Sequence, residues 1–374
     1  MNLQLHIGSK TLDKNKWESM CPEGSFLSLP FKLAFEQHHK SNIKHLYYVA
    51  DDKENKAIGY AQEFNIRSNR IRDYQKKNKA KGSLINIVLK LLNLKVVALG
   101  NGLLTNISNF SAVKLSNNID FFNSLLLRIQ KDLSADKFII PDHFFKELKV
   151  ENPNEIFPEL IKVVVDQDMH LKISKEWNTF EDYTKALKKK YRSRLKSVMK
   201  KSEDIEIKVL TQAELVKHAE KIQELFENVH QKSAFGISPF NTSIYIDLID
   251  SDNPKCQVFA YFLNDEVIAY SSELRDDNNL YSYFIGLDYR YNKSHRLYER
   301  ILNETIKSAI SNKKSKLIFG RTAAEFKSNV GAQPIHSEIF VYLKSPVLRR
   351  LLRPILENIK PSNWVKRNPL KEII

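Results

Sequence analysis

Short runs of alternating apolar and polar residues mark the second half of the chain. The runs "CQVFAYFL" and "EVIAYSSELR" are rich in β-forming residues, and the Asn264-Asp265 pair between them is typical of a tight hairpin turn. A polar turn separates this hairpin from a third run, "LYSYFIGL". Since successive residues of a strand point to opposite faces, the three runs predict neighbouring strands of one sheet.

The period of the pattern then lengthens. Apolar residues recur every four positions at Leu297 and Ile301, and again at Leu302 and Ile306, which predicts an amphipathic helix. "KLIFG" returns as a short strand, and "HSEIFVYL" is expected to close the unit as its last strand. A helix between two strands implies a crossover and therefore a mixed sheet.

A short helix is predicted between those last two strands, in "TAAEFKSNVG". Thr322 and Glu325 have the spacing of a capping box, and Gly331 stands where a helix C-cap is expected.

The N-terminal half repeats the same order. "HLYYVAD" and "AIGYAQEFNI" predict a hairpin, "KVVALGNG" a third strand, "IDFFNSLLLRIQKDL" the helix, and "KFIIPD" and "IKVVVDQDMHLKI" the last strands. The shared order predicts an α/β (α+β mixed sheet) unit in tandem duplication, with domains at 1–174 and 175–345 and a basic amphipathic tail at 346–374. Two unrelated α+β domains with similar short motifs remain the alternative.

Charge and cysteine content narrow the classes of partner. The net charge is +15 and the pI is about 9.4, which favours phosphorylated cofactors, nucleic acid or anionic lipid. Lysine and arginine crowd a helix predicted at 183–201. Cys21 and Cys256 stand alone, without a CxxC or histidine cluster, so neither a disulfide framework nor a metal site is expected. The N-terminus lacks the apolar stretch of a signal peptide, and the longest apolar run is interrupted by lysines and asparagines, so no membrane span is expected. These features predict a cytoplasmic protein, and its basic segments are compatible with peripheral contact at the inner membrane face.

Three segments together resemble a known family. "KKKYRSRLK", "YFIGLDYRYNKSHRLYERILNETIKSAI" and "KLIFGRTAAEFKSNVGA" are similar to tandem GNAT-fold N-acyltransferases of the Fem-like group, which includes the peptidoglycan biosynthesis/recognition acyltransferases. The resemblance implies two GNAT-like domains, with the chemistry in the second. It also implies transfer of an acyl group from acyl-CoA, or of an aminoacyl group from charged tRNA, to an amine. The acceptor would be a small molecule or a lipid-linked cell-envelope precursor.

One motif departs from the acetyl-CoA-dependent members of the fold. These enzymes bind the CoA pyrophosphate with a glycine-rich loop at a helix N-terminus. Here the equivalent segment reads "LDYRYNKSHR" and has no glycine after Gly286. Either Lys293, His295 and Arg296 hold the pyrophosphate together with the helix dipole, or the donor is not CoA.

The chemistry requires an amine to lose a proton and a carbonyl oxygen to be stabilised as charge develops. In GNAT folds a backbone N–H meets that oxygen where strands splay, which the resemblance places at 283–286, with Tyr283 and Gly286 beside the donor. Asp288 is the first candidate to polarise the amine, and Glu273 is the second. Capping of the following helix is an equally good reading of Asp288.

The remaining candidates lie around this segment. Tyr289 and Tyr291 are candidates to protonate the leaving group or line the acceptor pocket, although tyrosines there commonly serve packing. Arg321 follows a strand end, where ligands bind in open α/β sheets, and is assigned to the donor. His230 and Lys232, in a loop predicted after an amphipathic helix, and Lys327 are assigned to the substrate. Gly100 and Gly102 suit either an anion nest or a plain turn.

A second class of function competes with catalysis. The basic runs "RSNRIRDYQKKNKAKG" and 183–201 and the basic tail also suit a non-catalytic GNAT-like scaffold that binds nucleic acid or anionic membrane. An enzyme requires Asp288, Tyr289 and Arg321 to surround a common channel, whereas an adhesion module would scatter them.

Overall fold

The structure is a computed structural model that describes residues 1–65, 95–232, 240–249 and 254–371, apart from the side chain of Lys232. The basic run "RSNRIRDYQKKNKAKG" lies outside the described residues. Contacts divide the chain into two compact units, each built from separate stretches of sequence. Unit 1 comprises Met1–Val165, the described part of Ser233–Asn241 and Glu338–Lys360, and unit 2 comprises Asp166–Lys232, Thr242–Ser337 and Pro361–Ile374.

Both units contain β-strands. In chain order they are β1 (Leu3–Ile7), β2 (Ile43–Asp51), β3 (Lys56–Asn65), β4 (Lys95–Ala98), β5 (Phe110–Lys114), β6 (Lys137–Pro141), β7 (Ile161–Val164), β8 (Asp168–Lys172), β9 (Glu206–Val209), β10 (Lys255–Leu263), β11 (Glu266–Arg275), β12 (Asn279–Leu287), β13 (Lys316–Gly320), β14 (Gln333–Ile335) and β15 (Glu338–Leu343).

Helices lie between the strands, with one 3-10 turn at Ser9–Thr11. The described helices are α1 (Lys14–Met20), α2 (Leu29–His39), α3 (Asn118–Leu133), α4 (Asp142–Glu147), α5 (Pro153–Ile156), α6 (Phe180–Ala186), α7 (Lys189–Lys201), α8 (Gln212–Lys217), α9 (Ala219–Lys232), α10 (Ile244–Leu248), α11 (Tyr289–His295), α12 (Leu297–Ser311), α13 (Ala324–Ser328) and α14 (Pro346–Leu356).

Each unit is built on one mixed sheet. The sheet of unit 1 has the order β1-β2-β3-β4-β6-β15-β7, with β5 paired to β3, and that of unit 2 has the order β14-β8-β13-β12-β11-β10-β9. A hairpin, a third strand, a helix and a fourth strand recur in both, and the third and fourth strands are parallel in both. The predicted fold class, two α/β units of matching topology, is confirmed.

The strand that closes each sheet is the main correction to the sequence prediction. Glu338–Leu343 was expected to end the second unit, but β15 pairs with β6 and β7 in unit 1. The segment "IKVVVDQDMHLKI" forms two strands rather than one, of which β7 joins unit 1 and β8 pairs with β13 and β14 in unit 2. Alternation alone cannot reveal this, because it fixes which residues face the core and not which sheet they join.

Two local predictions have opposite outcomes. The hairpin at Asn264 and Asp265 is confirmed, since both residues adopt the positive φ values (48° and 64°) that a tight two-residue turn requires. The capping box at Thr322 and Glu325 is wrong. Thr322 itself has a φ of 66°, the helix begins only at Ala324, and the Glu325 carboxylate accepts from Arg367.

Unit 2 has helices on both faces of its sheet. We call one the α9 face, where Leu225 and Phe226 lie against Gly286, and the other the α12 face, where Leu297 and Ile301 are buried. Helices α6 and α7 also pack on the α12 face. The basic helix α7 therefore buries one side in the core through Leu195 and Val198, and Leu187 just before it is buried as well.

Gly286 permits a close contact between helix α9 and the sheet of unit 2. A Cβ atom placed there would lie 2.5 Å from the backbone carbon of Leu225 and 2.6 Å from the backbone nitrogen of Phe226. Gly286, which was expected beside the donor, is therefore in close contact with helix α9.

Replacing Gly286 with alanine should destabilise the protein by about 3 kcal/mol, because helix backbone cannot yield to the added methyl group without moving α9. Gly320→Ala is the matched control. Its Cβ would meet nothing within 4 Å, so only its φ of 76° is penalised, at about 1 kcal/mol. Urea denaturation of both variants measures the difference, and equal losses would contradict the packing role of Gly286.

Candidate functional site

A gap opens between the two parallel strands of unit 2. Strand β12 pairs with β13 only from Asn279–Lys316 to Tyr281–Ile318. Both strands then continue, to Leu287 and to Gly320, without further pairing to each other. The strands diverge at the segment where the sequence placed the acyl carbonyl, so the central part of β12 is available to a ligand along one edge.

A β-bulge on the other edge of β12 reinforces this divergence. Between the Ser271–Ile285 and Glu273–Ser282 pairs, β12 contains one more residue than β11. Ser272 of β11 lies opposite the two bulge residues of β12. Its hydroxyl donates to the carbonyl of Phe284 at 2.8 Å and accepts from the N–H of Phe284 at 3.0 Å. A bulge of this kind turns the bulged strand and increases its twist.

Tyr283 and Phe284, the residues of the bulge, both lie on the α9 face. The Phe284 ring contacts Phe226 of α9 with centroids 5.3 Å apart, and the Tyr283 ring lies 4.4 Å from that of Phe284. Tyr283 also neighbours the hydroxyl of Tyr270 and the thiol of Cys256, and burial holds its pKa well above the usual value. Tyr283 is therefore a neutral phenol on the α9 face, near residues of β10 and β11.

Lys327 marks the far end of the gap. Its ammonium group donates to the carbonyl of Arg321 at 2.7 Å and to that of Gly320 at 3.1 Å, where β13 ends. The side chain is buried, and desolvation lowers its pKa to about 7. An ammonium has three N–H donors, and within the described residues the third has no acceptor. The adjoining Gly320 faces open space.

Asp288 caps helix α11. Its Oδ1 accepts from the backbone N–H of Arg290 at 2.9 Å, and its carboxylate is paired with the Arg290 guanidinium. This pairing lowers the pKa of Asp288, so the group is an anion held in place. Asp288 and the half-exposed Tyr289 also line an open cleft of about 390 Å³ together with Arg290 and, from α9, with Glu224, Asn228 and Gln231.

Glu273 faces away from this cleft. It pairs with Ser282, so it lies on the α12 face, and its Oε2 accepts from the Ser308 hydroxyl of α12 at 2.6 Å. Only 1% of the residue is exposed, and burial raises its pKa to about 7. Glu273 therefore has a carboxyl group that can titrate near neutral pH, but it has no access to the cleft where an acceptor amine could bind.

The residues predicted to hold a pyrophosphate are occupied by acids. Arg296 donates to both oxygens of Glu299, at 3.0 and 2.9 Å, and His295 lies 3.3 Å from Asp204. Lys293 is exposed on α11, whose N-terminus is capped by a carboxylate. A pyrophosphate therefore does not fit the predicted arrangement.

The other predicted residues are more dispersed. Tyr291 packs against the α12 face cluster, with the Arg290 guanidinium 5.6 Å from its ring. Arg321 is partly buried at the end of β13. His230 belongs to helix α9 rather than to a loop, and its ring stacks on Phe226 at 5.0 Å. Lys232 ends that helix, and its side chain lies outside the described residues.

The exposed face of α7 presents lysines at helical spacing. Lys189, Lys196 and Lys200 share this face, and among the described residues they form no ion pair. The other side of α7 is fixed to α12 by Arg194, which donates to Glu299 at 2.6 Å. The lysines therefore form a positive surface beside the α11–α12 junction.

In unit 1, the Gly100–Gly102 segment is a turn rather than an anion nest. The N–H of Gly102 donates to Gln62 and that of Leu103 to Asn101, so these donors are used within the protein.

Neither a metal-ligand cluster nor a membrane-spanning helix accompanies these features in the part of the chain that the structure describes. In the described ranges, His, Cys, Asp and Glu side chains nowhere converge in threes as metal ligands. None of the described helices combines the length and apolar character needed to cross a bilayer.

Sequence reasoning missed two polar residues on β8, Asp168 and His170. Their alternation with the apolar Met169 and Leu171 predicts that both point to one face of a strand. That face could not be placed in unit 2, because the strand was assigned to the first unit.

The gap between the parallel strands, the bulge opposite it and the helix that follows all lie in one continuous stretch of unit 2. Residues 189–328 match the family model described as an acetyltransferase (GNAT) domain. The predicted GNAT domain is therefore confirmed over this part of unit 2. No curated protein matches the sequence at a significant level.

Solved structures extend the similarity to both units. A conserved protein of unknown function from Bacteroides thetaiotaomicron VPI-5482 has 11% identity and a TM-score of 0.52, over 91% of this chain and 100% of its own. FemX has 12% identity and a TM-score of 0.49, over 94% of this chain and 100% of its own. The C-terminal domain of a putative lysylphosphatidylglycerol synthetase from Agrobacterium fabrum has 8% identity and a TM-score of 0.45, over 91% of this chain and 94% of its own. Only the first score exceeds 0.5, so only that similarity bears on the fold.

The Glu273→Gln substitution should remove a pH dependence of stability. A raised pKa means that between about pH 4.5 and 7 the folded protein keeps a proton that the unfolded chain has released. The contribution of Glu273 to stability is therefore complete below pH 4.5 and is lost as the pH rises through 7. Relative to the Glu273→Gln variant, the wild type should lose roughly 3 kcal/mol across this range.

Urea denaturation at several pH values measures this difference. Glu220→Gln, at an exposed position of α9, is the control and should follow the wild type at every pH. A Glu273→Gln curve parallel to that of the wild type would contradict a buried, protonated carboxyl group.

Proposed function

We propose that the protein is a Fem-like N-acyltransferase that uses the gap between β12 and β13 to hold the acyl carbonyl of its donor. The observation that carries this proposal is the end of parallel pairing at Tyr281–Ile318 while both strands continue. An acyl group lying along the free edge of β12 would meet backbone N–H groups, which are fixed dipoles and need no reorganisation during reaction.

Lys327 supplies the positive charge in this proposal. As the amine attacks, the carbonyl oxygen becomes an anion, and the ammonium at the end of β13 has one donor left for it among the described contacts. Burial makes this charge effective, since little water screens it. The tyrosine phenol at 283 and the cleft beside Asp288 and Tyr289 would border the acceptor.

The donor is an acyl-CoA or an aminoacyl-tRNA. The carboxylate of Asp288 occupies the helix N-terminus at which a CoA pyrophosphate would bind, and Arg296 is paired with Glu299. Donor phosphates would therefore contact the lysine surface of α7 instead. This location favours the donor with more phosphates, which is the charged tRNA.

The acceptor is an amine, and the resemblance to Fem-like proteins suggests one on a cell-envelope precursor, either soluble or linked to lipid. The reaction would then take place in the cytoplasm or at the inner membrane face. The non-catalytic scaffold is the competing proposal, supported by ion pairing at Arg296 and His295 and by the lysine surface.

Label transfer decides between these proposals. The protein is incubated with radiolabelled acetyl-CoA, longer acyl-CoAs or charged tRNA, together with a deproteinised cell extract as the source of amines. We expect transfer from at least one donor, reduced about 100-fold by Lys327→Met because a charge at the developing oxyanion is lost. Lys307→Met, on the exposed side of α12, should leave the rate unchanged. Absence of transfer from every donor would favour the scaffold.

Charge reversal on α7 tests the donor site separately. Lys189→Glu, Lys196→Glu and Lys200→Glu together should weaken donor binding by at least about tenfold at low salt, with the difference shrinking as salt rises. Titration of labelled donor measures the affinity, and reversal of Lys313 on the turn after α12 is the control. Unchanged affinity would exclude this surface as the donor site.

A further inference from the structure

A histidine and an aspartate occupy the strand next to the gap. His170 of β8 pairs with Ile318 of β13, and Ile318 pairs in turn with Tyr281 of β12. Directly paired residues lie on the same face of a sheet, so His170 shares the α9 face with Tyr281 and Tyr283. One strand alone separates the imidazole from the opening between β12 and β13.

The two side chains lie at ion-pair distance. The Nε2 of His170 is 3.0 Å from the Oδ2 of Asp168, whose side chain is only 8% exposed. Nε2 is buried and forms no hydrogen bond in this geometry, although the Asp168 carboxylate is the group that lies beside it. The His170 side chain is 21% exposed, and its Nδ1 makes no hydrogen bond within the described residues. A carboxylate beside one ring nitrogen favours the tautomer in which the other nitrogen is an acceptor.

The environment of Asp168 links this pair to the end of the gap. Asp168 interacts electrostatically with the buried ammonium of Lys327, which lies where β13 ends. Its Oδ1 is buried and has no hydrogen-bond partner in the part of the chain that the structure describes. A buried carboxylate oxygen without a partner is costly, which points to a ligand or a protonated imidazole as its complement.

A role confined to structure explains less of this arrangement. The pair lies within a single strand and joins no strands, and β8 is already fixed by backbone pairing with both β13 and β14. The His170–Asp168 pair is also incompletely covered. Its neighbours on β14, Gln333 beside His170 and Ile335 beside Asp168, are exposed.

We propose that His170 accepts the proton of the acceptor amine and that Asp168 is the positioning residue that orients it. This inference rests on the proposed function. As the amine nitrogen bonds to the acyl carbon, Nδ1 of His170 takes one amine proton and the imidazolium is stabilised by Asp168. The C–S or C–O bond to the leaving group then breaks, and the leaving thiolate or ribose oxygen takes a proton from the imidazolium or from water. The products are an amide and a free thiol or hydroxyl.

The test measures initial rates of label transfer from saturating donor into the deproteinised extract. His170→Ala should lower the rate about 100-fold while donor affinity stays unchanged. Added imidazole should raise the rate of this variant about tenfold. His218→Gln is the control, because this partly exposed histidine packs against Phe262 away from the gap. Its rate should equal that of the wild type.

Asp168→Asn is examined by long-range ¹H–¹⁵N NMR of the histidine rings as well as by rate. In the wild type, His170 should carry its proton on Nε2, and the substitution should abolish that preference together with most of the rate. A merely structural role for Asp168 would leave the His170 tautomer unchanged.

The outcomes separate this inference from the proposed function. Failure of the wild type to transfer from any donor overturns both. Transfer by the wild type with an undiminished rate in His170→Ala overturns this inference alone. Loss of donor affinity in His170→Ala, or loss of rate without rescue by imidazole, also overturns it, because either result assigns the histidine to binding or folding.

Discussion

Parallel strands hold each other through evenly spaced hydrogen bonds, and in unit 2 this pairing stops while both strands continue. The stop at Tyr281–Ile318 is imposed from two sides. Ser272 inserts its hydroxyl into the bulge of β12, and helix α9 contacts the strand at Gly286, where no side chain would fit. Every other part of the candidate site is defined by its position relative to this gap, from Lys327 at the end of β13 to Asp288 at the end of β12.

Unit 1 shows what the same topology does without this constraint. Its parallel pair, β4 and β6, is followed by a bond from the Leu99 N–H to Ile139, after which the chain turns at Gly100. The described part of β4 therefore ends where its pairing ends. The unit instead buries polar groups, among them Lys32, whose ammonium donates to Asn109 and lies 4.3 Å from the Tyr60 ring centre. This contrast is why we place the chemistry in unit 2.

Local sequence signals predicted local structure well and distant pairing poorly. The hairpin turn at Asn264, the amphipathic helix from Leu297 and the repeated order of elements could be predicted, because each depends on residues close in sequence. The sheets that β15 and β8 join could not be predicted, because a strand that pairs with distant segments has the same alternation of apolar and polar residues in either sheet. The candidate site was therefore predicted only in part: Asp288 and Lys327 were among the candidates, but Asp168 and His170 were missed. The ion pairs that occupy Arg296 and His295 depend on Glu299 and Asp204, whose spatial proximity no spacing rule reveals.

The central claim is that the free edge of β12 binds the acyl donor, and hydrogen–deuterium exchange with and without saturating donor tests it most directly. Amides of 282–287 and 319–328 should exchange more slowly when the donor that supports transfer is bound, because the gap closes around the acyl group. Protection confined to other segments, or none at saturation, would contradict the account.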